Sequence, residues 1–358
     1  MNWGGNLCYS AKEIEYPTNE EELRNIILRM KKGKVLGTKH SFNLLADTEG
    51  TLISSSKMDR ILKLDRENKV VWVESGIKYG DLGKYLDQNG FSLQNLASLP
   101  HISVGGAVVT ATHGSGDSCS SLASSVEEIE IMLADGNKKT FRKDEQEFYG
   151  AVVNIGALGF ITKIALKIEE KYNISIRVFE NLPMSALNEN LDKIYGAGFS
   201  VSLFTNWSGS SFHQVWIKSR SSPASSSVLP VNNLSDFFGA TPAKRKLHPV
   251  GGDHTCENCV EQMGIEGKFN YFILFLFKIN LFNFIFLFYF TLIGPSYDRL
   301  PHFKMDFTPS SGAELQTEYF IPREHLYEAV LEIQTLGHLI SPLVYVTEIR
   351  SFSSELFW

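Results

Sequence analysis

The sequence has no excess of positive charge and little of the composition that marks disordered chains. Of 358 residues, 34 are Lys or Arg and 40 are Asp or Glu, which gives a formal net charge of −6. This balance disfavours a nucleic-acid-binding surface, and we expect no nucleic-acid partner. An apolar share of 43% and a charged share of 21% are typical of a globular protein with a large core.

Cysteine is scarce, since only Cys8, Cys119, Cys256 and Cys259 are present. Four cysteines are too few for a disulfide scaffold and fit a reducing compartment, so we expect a cytoplasmic protein. The Cys-x-x-Cys pair lies near two histidines and could be drawn as a zinc site. The second half of a zinc framework is missing, and we expect no metal.

The N-terminal residues do not show the pattern of a targeting signal. The first 17 residues have no basic region followed by an apolar run, so we expect no secretory signal. Asn206 and Asn233 match the glycosylation pattern, which means little without a secretory route.

Known nucleotide fingerprints are missing, but two loops are rich in Gly, Ser and Thr. The chain has neither a Walker motif nor a Gly-x-Gly-x-x-Gly fingerprint, which argues against nucleoside triphosphates and a nicotinamide site. The two loops are VLGTKHSFN at 35–43 and NLASLPHISVGGAVVTATHGSG at 95–116. Such loops expose backbone N–H groups that can hold a pyrophosphate, and they also form tight turns between strands. The residues alone leave both interpretations open.

Hydropathy and turn patterns predict an α+β fold. The segment Thr18–Glu21 is typical of a capping box, followed by an apolar helical stripe at Leu23, Ile26, Ile27 and Met30. We predict strands over 34–36, 51–54, 70–74, 128–133, 138–141, 201–204 and 214–218, a helix over 81–88 and a Ser-rich loop over 219–227. Residues 160–168 alternate as a half-buried strand should. Strands and helices interleave, which predicts domains at 1–175 and 176–358.

The segment KFNYFILFLFKINLFNFIFLFYFTLI at 268–293 breaks this pattern. It is long enough to span a bilayer, which takes about 20 apolar residues. Lys278, Asn280 and Asn283 lie in its middle, however, where a lysine costs about 2.5–3.5 kcal/mol. A genuine insertion, a membrane span and a translated intron are the three interpretations, and we favour the last.

Several motifs together resemble the alditol oxidases, which belong to the vanillyl-alcohol-oxidase (PCMH-type) flavoproteins. In the first half of the chain, these motifs are the two Gly-rich loops at 35–43 and 95–116, together with NWGGN at 2–6 and GALGFITK at 156–163. In the second half they include SVSLFTNW, QVWIKSR, HPV, the stretch from RLPHFKMDF to YFIPREH, and TEIR. The resemblance covers nearly the whole chain. It implies a two-part FAD-binding domain followed by an α+β substrate domain, which the segment at 268–293 interrupts.

The resemblance implies FAD as cofactor and His40 as its covalent attachment point. A neutral imidazole is a competent nucleophile, whereas without the resemblance His40 could be a turn histidine bonded to the backbone. Lys39 departs from the family, where a small residue is expected. His113 is expected to be structural or a cofactor neighbour. The cofactor-binding residues implied by the resemblance are Val35, Leu36, Gly37, Thr38, Lys39, His40, Ser41, Ser98, Ser103, Gly106, Ala107, Val108, Val109 and Ile161.

The catalytic residues implied by the resemblance are Glu348, Arg350 and Ser98. Glu348 and Arg350 are two apart, so on a strand their side chains share one face and could bind the hydroxyls of a polyol. Without the resemblance they could be a surface ion pair worth under about 1 kcal/mol. The chain stops shortly after them, at SELFW, where the family continues, so we expect an incomplete substrate domain.

The expected function is oxidation of the primary alcohol of a sugar alcohol such as xylitol or sorbitol. A hydride would pass to flavin N5, and O2 would be reduced to H2O2; the partners are therefore a polyol and O2. Two alternatives stay open: an aldonolactone oxidase of the same superfamily, and a catalytically inactive FAD-binding protein. A membrane-anchored protein is the least favoured alternative.

Overall fold

A computed structural model describes residues 1–221, 236–244, 247–250, 293–305, 314–355 and 357. The chain divides into two compact units. Unit 1 comprises Met1–Tyr172, Pro295–Phe320 and Phe352–Trp358, and unit 2 comprises Asn173–Gly294 and Ile321–Ser351. Both units contain strands and helices, in agreement with the α+β class expected from the sequence.

The described strands and helices, in chain order, have the following bounds. The strands are β1 Glu13–Glu15, β2 Gly33–Leu36, β3 Thr51–Ser54, β4 Ile61–Asp65, β5 Val70–Val73, β6 Phe91–Ser92, β7 Val126–Met132, β8 Lys138–Arg142, β9 Phe160–Lys167, β10 Glu169–Glu170, β11 Asn173–Pro183, β12 Ser200–Thr205, β13 Ser211–Ser221, β14 Thr241–Pro242, β15 Ile293–Pro295 and β16 Thr347–Arg350. The helices are α1 Glu20–Arg29, α2 Tyr79–Gln88, α3 Val104–Val109, α4 Gln146–Val152, α5 Leu187–Tyr195, α6 Ser296–Arg299, α7 Leu326–Thr335 and α8 Gly337–Ile340.

A small parallel sheet of unit 1 has the strand order β1-β3-β2. In its register Lys34 lies opposite Leu52 and Leu36 lies opposite Ser54. Because β2 and β3 are parallel, the loops that follow them leave from the same edge of the sheet. The loop with the motif GTKHSFN follows β2, and a serine-rich loop follows β3.

Helix α1 packs its apolar stripe between two sheets. Leu23, Ile26 and Ile27 are buried in a cluster with Ile53 of β3 and Phe160 of β9. This stripe agrees with the periodicity of the sequence, because residues three and four apart share a helix face.

The predicted capping box of α1 is displaced by one residue. Asn19, not Thr18, is the N-cap, and its side chain accepts a hydrogen bond from Glu22 N at 2.9 Å. Thr18 N and Thr18 Oγ1 donate to the Glu22 carboxylate at 2.8 and 2.9 Å. Asn caps as well as Thr, so the box closes on Glu22 rather than Glu21.

The second sheet of unit 1 has the order β4-β5-β9-β7-β8 and is antiparallel throughout. The prediction of a half-buried strand at 160–168 was wrong in its burial. Six of the eight residues of β9 are buried, and only Lys163 and Lys167 are not. The reason is its position, because β9 is the central strand and is covered on both faces. A separate two-stranded ladder joins β6 and β10.

Unit 2 is built on an antiparallel sheet of order β14-β11-β13-β12-β16, with β15 also paired to β11. One face of the sheet carries the core. Val201 and Leu203 of β12 and Val215 and Ile217 of β13 are buried there with residues of α5 and α7, including Leu187. Side chains alternate along strands, so the intervening residues occupy the opposite face.

Three sequence predictions fall wholly or partly outside the described residues. Ser219–Ser221 are in β13 rather than a loop, whereas 222–227 are not described. The segment at 268–293 is described only at Ile293, in β15, and the Cys256/Cys259 pair is not described. Among the described residues, no helix is long and apolar enough to cross a membrane.

Candidate active site

His40 lies in the turn that follows β2, and the backbone before it is left-handed. Lys39 has a φ of 68°, a region that disfavours side chains with a Cβ. This explains why a glycine is expected there. The turn is tied to the N-terminal segment, because Trp3 N donates to Lys39 O at 2.8 Å.

The His40 ring is held by one hydrogen bond and two ring contacts. Its Nδ1 lies 2.9 Å from Thr38 Oγ1. The ring stacks on Trp3 at 5.0 Å between centroids and lies 4.9 Å from the His101 ring. Among the described residues, the buried Nε2 of His40 has no hydrogen-bond partner. An imidazole nitrogen that is buried without a partner is a sign of a missing ligand.

Both imidazoles are neutral at physiological pH. Burial, followed by repulsion from His101 and Lys78, lowers the pKa of His40 to about 3 against the opposing hydrogen bond from Thr38. Burial and the charge of Lys78 lower the pKa of His101 to about 4. A neutral ring keeps a lone pair available for nucleophilic attack.

The second Gly-rich loop meets the first through the hydroxyl of Thr38. Thr38 Oγ1 accepts a hydrogen bond from Ser103 N at 3.2 Å. Part of this predicted loop is in fact helical, because α3 begins directly after Ser103. A Cβ at Gly37 would lie 2.6 Å from Ser103 Oγ, so a larger residue at position 37 would require the Ser103 hydroxyl to move.

A cavity of about 450 Å³ opens at the edge of the parallel sheet where β2 and β3 end. The residues lining it include Gly37, Thr38, Ser55, Ser56, Lys78 and Ser103. Of the lining hydroxyls, that of Ser103 is buried without a partner among the described residues. We name the residues that line this cavity the cradle. Hydroxyls and a lysine around a glycine turn suit a pyrophosphate.

Two carboxylates, Asp59 and Asp81, also line the cavity. Carboxylates accept hydrogen bonds and repel phosphate, so they suit the hydroxyls of a ribose. The predictions missed Ser55, Ser56 and Lys78. The run Ser54-Ser55-Ser56 at the end of a strand was the signal that could have identified the first two.

The other predicted cofactor residues do not line the cavity, and their exposure differs. Leu36 and Val108 are almost fully buried, and Ala107 is buried beside them, so these side chains can support the cradle only by packing. Ser41 O accepts from Asn2 Nδ2 at 3.0 Å, and Ser98 O accepts from His302 N at 2.9 Å. The remaining residues are Val35 in β2, Gly106 and Val109 in α3, and Ile161, which lies apart in β9.

His113 is fixed within unit 1 on all sides. Its Nδ1 lies 2.9 Å from Gly114 O, and its Nε2 lies 3.0 Å from Glu318 Oε1. The ring stacks on Phe352 at 4.3 Å and also contacts Phe320. These contacts suit a structural role, which is one of the two roles expected for His113.

In unit 2, Glu348 and Arg350 lie on the face of the sheet opposite the core. The register pairs Phe204 with Glu348 and Ser202 with Arg350, whereas the core residue Leu203 lies opposite Ile349. Their side chains are only 20% and 16% exposed. The ion pair is loose, with 3.8 Å between Arg350 Nη1 and Glu348 Oε2, beyond hydrogen-bonding range. The pair is therefore not the exposed surface pair that sequence reasoning left open.

Lys218 of β13 lies on this same face, and the sequence predictions did not single it out. The register pairs Ser202 with both Trp216 and Arg350, so the side chains of Trp216 and Lys218 point to the side of the sheet that carries Arg350. Lys218 is 2% exposed, and its Nζ lies 5.6 Å from the centre of the Trp216 ring. We call Ser202, Trp216, Lys218, Glu348 and Arg350 the polar face.

Comparisons with known proteins agree with this geometry. Residues 11–142 match the FAD binding domain family. The chain is 36% identical to an alditol oxidase of a Streptomyces strain over 360 residues, which cover all of this chain and 77% of that protein. It is 33% identical to the mouse L-gulonolactone oxidase over 54% of this chain and 44% of that enzyme. A cholesterol oxidase from Brevibacterium sterolicum superposes with a TM-score of 0.53 at 12% identity, over 63% of this chain and 48% of that one.

The fold and the cradle therefore define a flavoprotein oxidoreductase with a PCMH-type FAD-binding fold. More narrowly, the chain belongs to the family of FAD-dependent alditol oxidases, to which the aldonolactone oxidases are related. The resemblance inferred from the motifs is confirmed, and so is FAD as the cofactor. The cradle fits that cofactor, because its unpartnered Ser103 hydroxyl, its glycine turn and Lys78 supply groups that a dinucleotide needs.

The left-handed backbone at Lys39 generates a stability prediction. Replacing Lys39→Gly should raise the free energy of unfolding by about 1 kcal/mol, because glycine adopts a positive φ without a Cβ clash. The midpoint of thermal unfolding measures this change. The control Lys34→Gly, in β2, should be destabilised instead; a lower midpoint for Lys39→Gly would contradict the assignment of strain.

The buried neutral His101 generates a pH prediction. His101 takes up a proton below about pH 6.5 in the unfolded chain but only below about pH 4 in the folded protein. The free energy of unfolding is therefore highest above about pH 6.5 and falls as the pH drops from 6.5 to 4. Between pH 7.5 and pH 5, His101→Gln should therefore lose roughly 2 kcal/mol less of its free energy of unfolding than the wild type. Urea unfolding at both pH values measures the difference. His325→Gln, at an exposed site, should keep the wild-type slope; an equal slope for His101→Gln would refute the prediction.

Proposed function

We propose that this protein oxidises the primary alcohol of a sugar alcohol such as xylitol or sorbitol, with O2 as the electron acceptor. The observation that carries the proposal is the polar face. There a carboxylate and a guanidinium stand side by side on one strand, partly buried and not hydrogen-bonded to each other. Such a pair offers both acceptors and donors, which is what adjacent hydroxyls require.

We assign unit 1 residues, within the predicted domain 1–175, to holding FAD, and residues after 176 to the polyol. Gly37, Thr38, Ser103 and Lys78 would hold the pyrophosphate. His40 would carry the flavin covalently, since it presents a neutral ring with an unpartnered nitrogen. FAD supplies a two-electron acceptor that returns its electrons to O2.

The chain's own residues would orient the substrate. Arg350 would donate to the hydroxyl that reacts and Glu348 would accept from its neighbour. Ser98, in unit 1, remains a proposed catalytic residue. In the reaction the alcohol carbon loses a hydride and the hydroxyl loses a proton, giving an aldehyde, while O2 becomes H2O2. Fixing the C–H bond in this way can contribute several kcal/mol to lowering the barrier.

The relationship to L-gulonolactone oxidases supports a second candidate, oxidation of an aldonolactone. It rests on 33% identity over about half of this chain. Parallel assays of H2O2 release with xylitol and with L-gulono-1,4-lactone separate the two.

We also retain the cytoplasmic location expected from the few cysteines.

Covalent attachment at His40 predicts flavin that survives denaturation. Acid-precipitated wild-type protein should keep flavin absorbance, and peptide mapping should locate it on the His40 peptide. His40→Ala should lose that absorbance, whereas His325→Ala should keep it. Flavin that remains attached to His40→Ala, or a folded wild type with only dissociable flavin, would refute the link.

The polar face predicts a catalytic loss on substitution. Glu348→Gln and Arg350→Met should each lower kcat/KM for xylitol by about 100-fold, because each removes a charge-assisted hydrogen bond worth up to about 3 kcal/mol. Anaerobic bleaching of the flavin by xylitol measures the loss. Glu332→Gln, on the exposed side of α7, should match the wild type. Covalent flavin without any bleaching by polyol or lactone in the wild type would favour the inactive FAD-binding alternative.

A further inference from the structure

The residues that precede β1 form a closed turn. Asn2 N donates to Leu7 O at 2.9 Å, and Leu7 N donates to Asn2 Oδ1 at 3.0 Å. A third hydrogen bond, from Asn2 Nδ2 to Asn6 Oδ1 at 2.8 Å, fixes the side chain of Asn2. These bonds set the shape of the turn without any help from the cofactor. We name residues 2–7 the tryptophan turn, after Trp3 within it.

Two hydrogen bonds tie the tryptophan turn to the backbone on both sides of His40. Before the histidine, Trp3 N donates to Lys39 O at 2.8 Å. After it, Asn2 Nδ2 also donates to Ser41 O at 3.0 Å. The turn therefore holds the backbone that carries the imidazole, at the point where Lys39 adopts its left-handed conformation.

The indole of Trp3 also fixes the plane of the His40 ring. The two rings stack with 5.0 Å between their centroids and 26° between their planes. The indole in turn meets the Phe42 ring edge-on, at 6.2 Å and 87°, and lies 6.3 Å from the His101 ring. The last torsion of a histidine side chain is broad and roughly two-fold, so an unsupported imidazole samples many orientations. Stacking on a ring that is itself held restricts that rotation.

The polar atom of Trp3 gives no reason for a tryptophan at this position. Among the described residues, its buried Nε1 has no hydrogen-bond acceptor, although a buried indole N–H usually finds one. A smaller apolar side chain would leave no such group unsatisfied. What tryptophan adds here is a broad, flat surface for the imidazole, and this surface calls for a functional explanation.

We propose that Trp3 is a positioning residue for flavin attachment, which holds the His40 ring in the plane that attachment requires. The proposal rests on the proposed covalent link at His40. Attachment replaces the N–H bond of His40 and one C–H bond of a flavin methyl group by a C–N bond. The two hydrogens leave as two protons and two electrons, which reduce O2 to H2O2. Such a bond forms quickly only when the reacting atoms are held close and aligned.

The tryptophan turn and the cradle are separate sets of residues. The residues that line the cavity include none of residues 2–7. Loss of the Trp3 ring should therefore slow attachment and leave the noncovalent affinity for FAD unchanged. A residue that served only the general fold would weaken both.

The test compares Trp3→Leu and Trp3→Phe with the wild type, using apoprotein of the full chain mixed with excess FAD. The rate of attachment is followed as flavin that survives acid precipitation. Noncovalent affinity is measured by flavin fluorescence in the His40→Ala background, where no link forms. Trp72→Leu is the matched control, because Trp72 is a partly buried tryptophan of β5 whose ring lies 4.8 Å from Lys63 Nζ.

We expect Trp3→Leu to attach flavin about tenfold more slowly than the wild type, because the loss of one aromatic pair changes a barrier by about that factor. Trp3→Phe keeps a stacking ring and should restore most of the rate. In the His40→Ala background, Trp3→Leu should bind FAD as tightly as its parent. Trp72→Leu should match the wild type in both measurements.

A second variant serves if Trp3→Leu does not fold. Phe42→Leu removes the ring that the indole meets edge-on and leaves the hydrogen bonds of the turn in place. It should slow attachment roughly threefold, again with unchanged affinity for FAD in the His40→Ala background.

Two results would overturn the role of Trp3 and leave the link at His40 in place. One is an unchanged rate of attachment in Trp3→Leu, or in Phe42→Leu if that variant is used. The other is a loss of FAD affinity in the His40→Ala background that equals the loss of rate, which would show a merely structural tryptophan.

The wild type separates this proposal from the oxidase function. A wild type that binds FAD and never attaches it would refute both the link at His40 and the role of Trp3. Bleaching of the flavin by xylitol reports the oxidase function independently, because it also occurs with flavin that is bound without a covalent link. Normal attachment without bleaching would count against the oxidase function alone.

Discussion

The hydroxyl of Thr38 is the point on which the cofactor side of the molecule depends. It accepts a hydrogen bond from Ser103 N and bonds Nδ1 of His40, so one oxygen joins the two Gly-rich loops and sets the ring. Thr38 and Ser103 are 65 residues apart in sequence, and the absence of a side chain at Gly37 leaves room for the Ser103 hydroxyl. Loss of the Thr38 hydroxyl would remove the hydrogen bond to the imidazole and a link between the two loops at the same time.

The periodic parts of the fold could be read from the sequence because local pattern and tertiary environment agree. The stripe of α1 is one example, since Leu23, Ile26 and Ile27 are the residues that the structure buries. The burial of β9 could not be read in this way, because Lys163 and Lys167 mimic an alternating strand. Its central position in the sheet is a long-range fact that no window of sequence contains.

In the candidate site, too, some residues could be predicted from local sequence and others depend on long-range structure. His40 and the Glu348–Arg350 pair were singled out because their motifs resemble those of the alditol oxidases, and their roles remain proposals. Lys218 was missed because a lysine within a strand ordinarily predicts a solvated position, and its burial depends on which strands flank β13. Ser55 was missed because it meets Gly37 only through the parallel pairing of β2 with β3.

The pairing of β16 with β12 has a consequence for how the protein is made. Ser202 pairs with Arg350, which is synthesised 148 residues later, so the polar face cannot form until then. At about 5–20 residues per second the ribosome needs roughly 7 to 30 seconds to synthesise that span. The loops at 35–43 and 95–116 leave the ribosome long before then. The cradle for FAD is thus available for assembly while β12 still has an open edge, and that edge is exposed to strand pairing with other chains until β16 arrives.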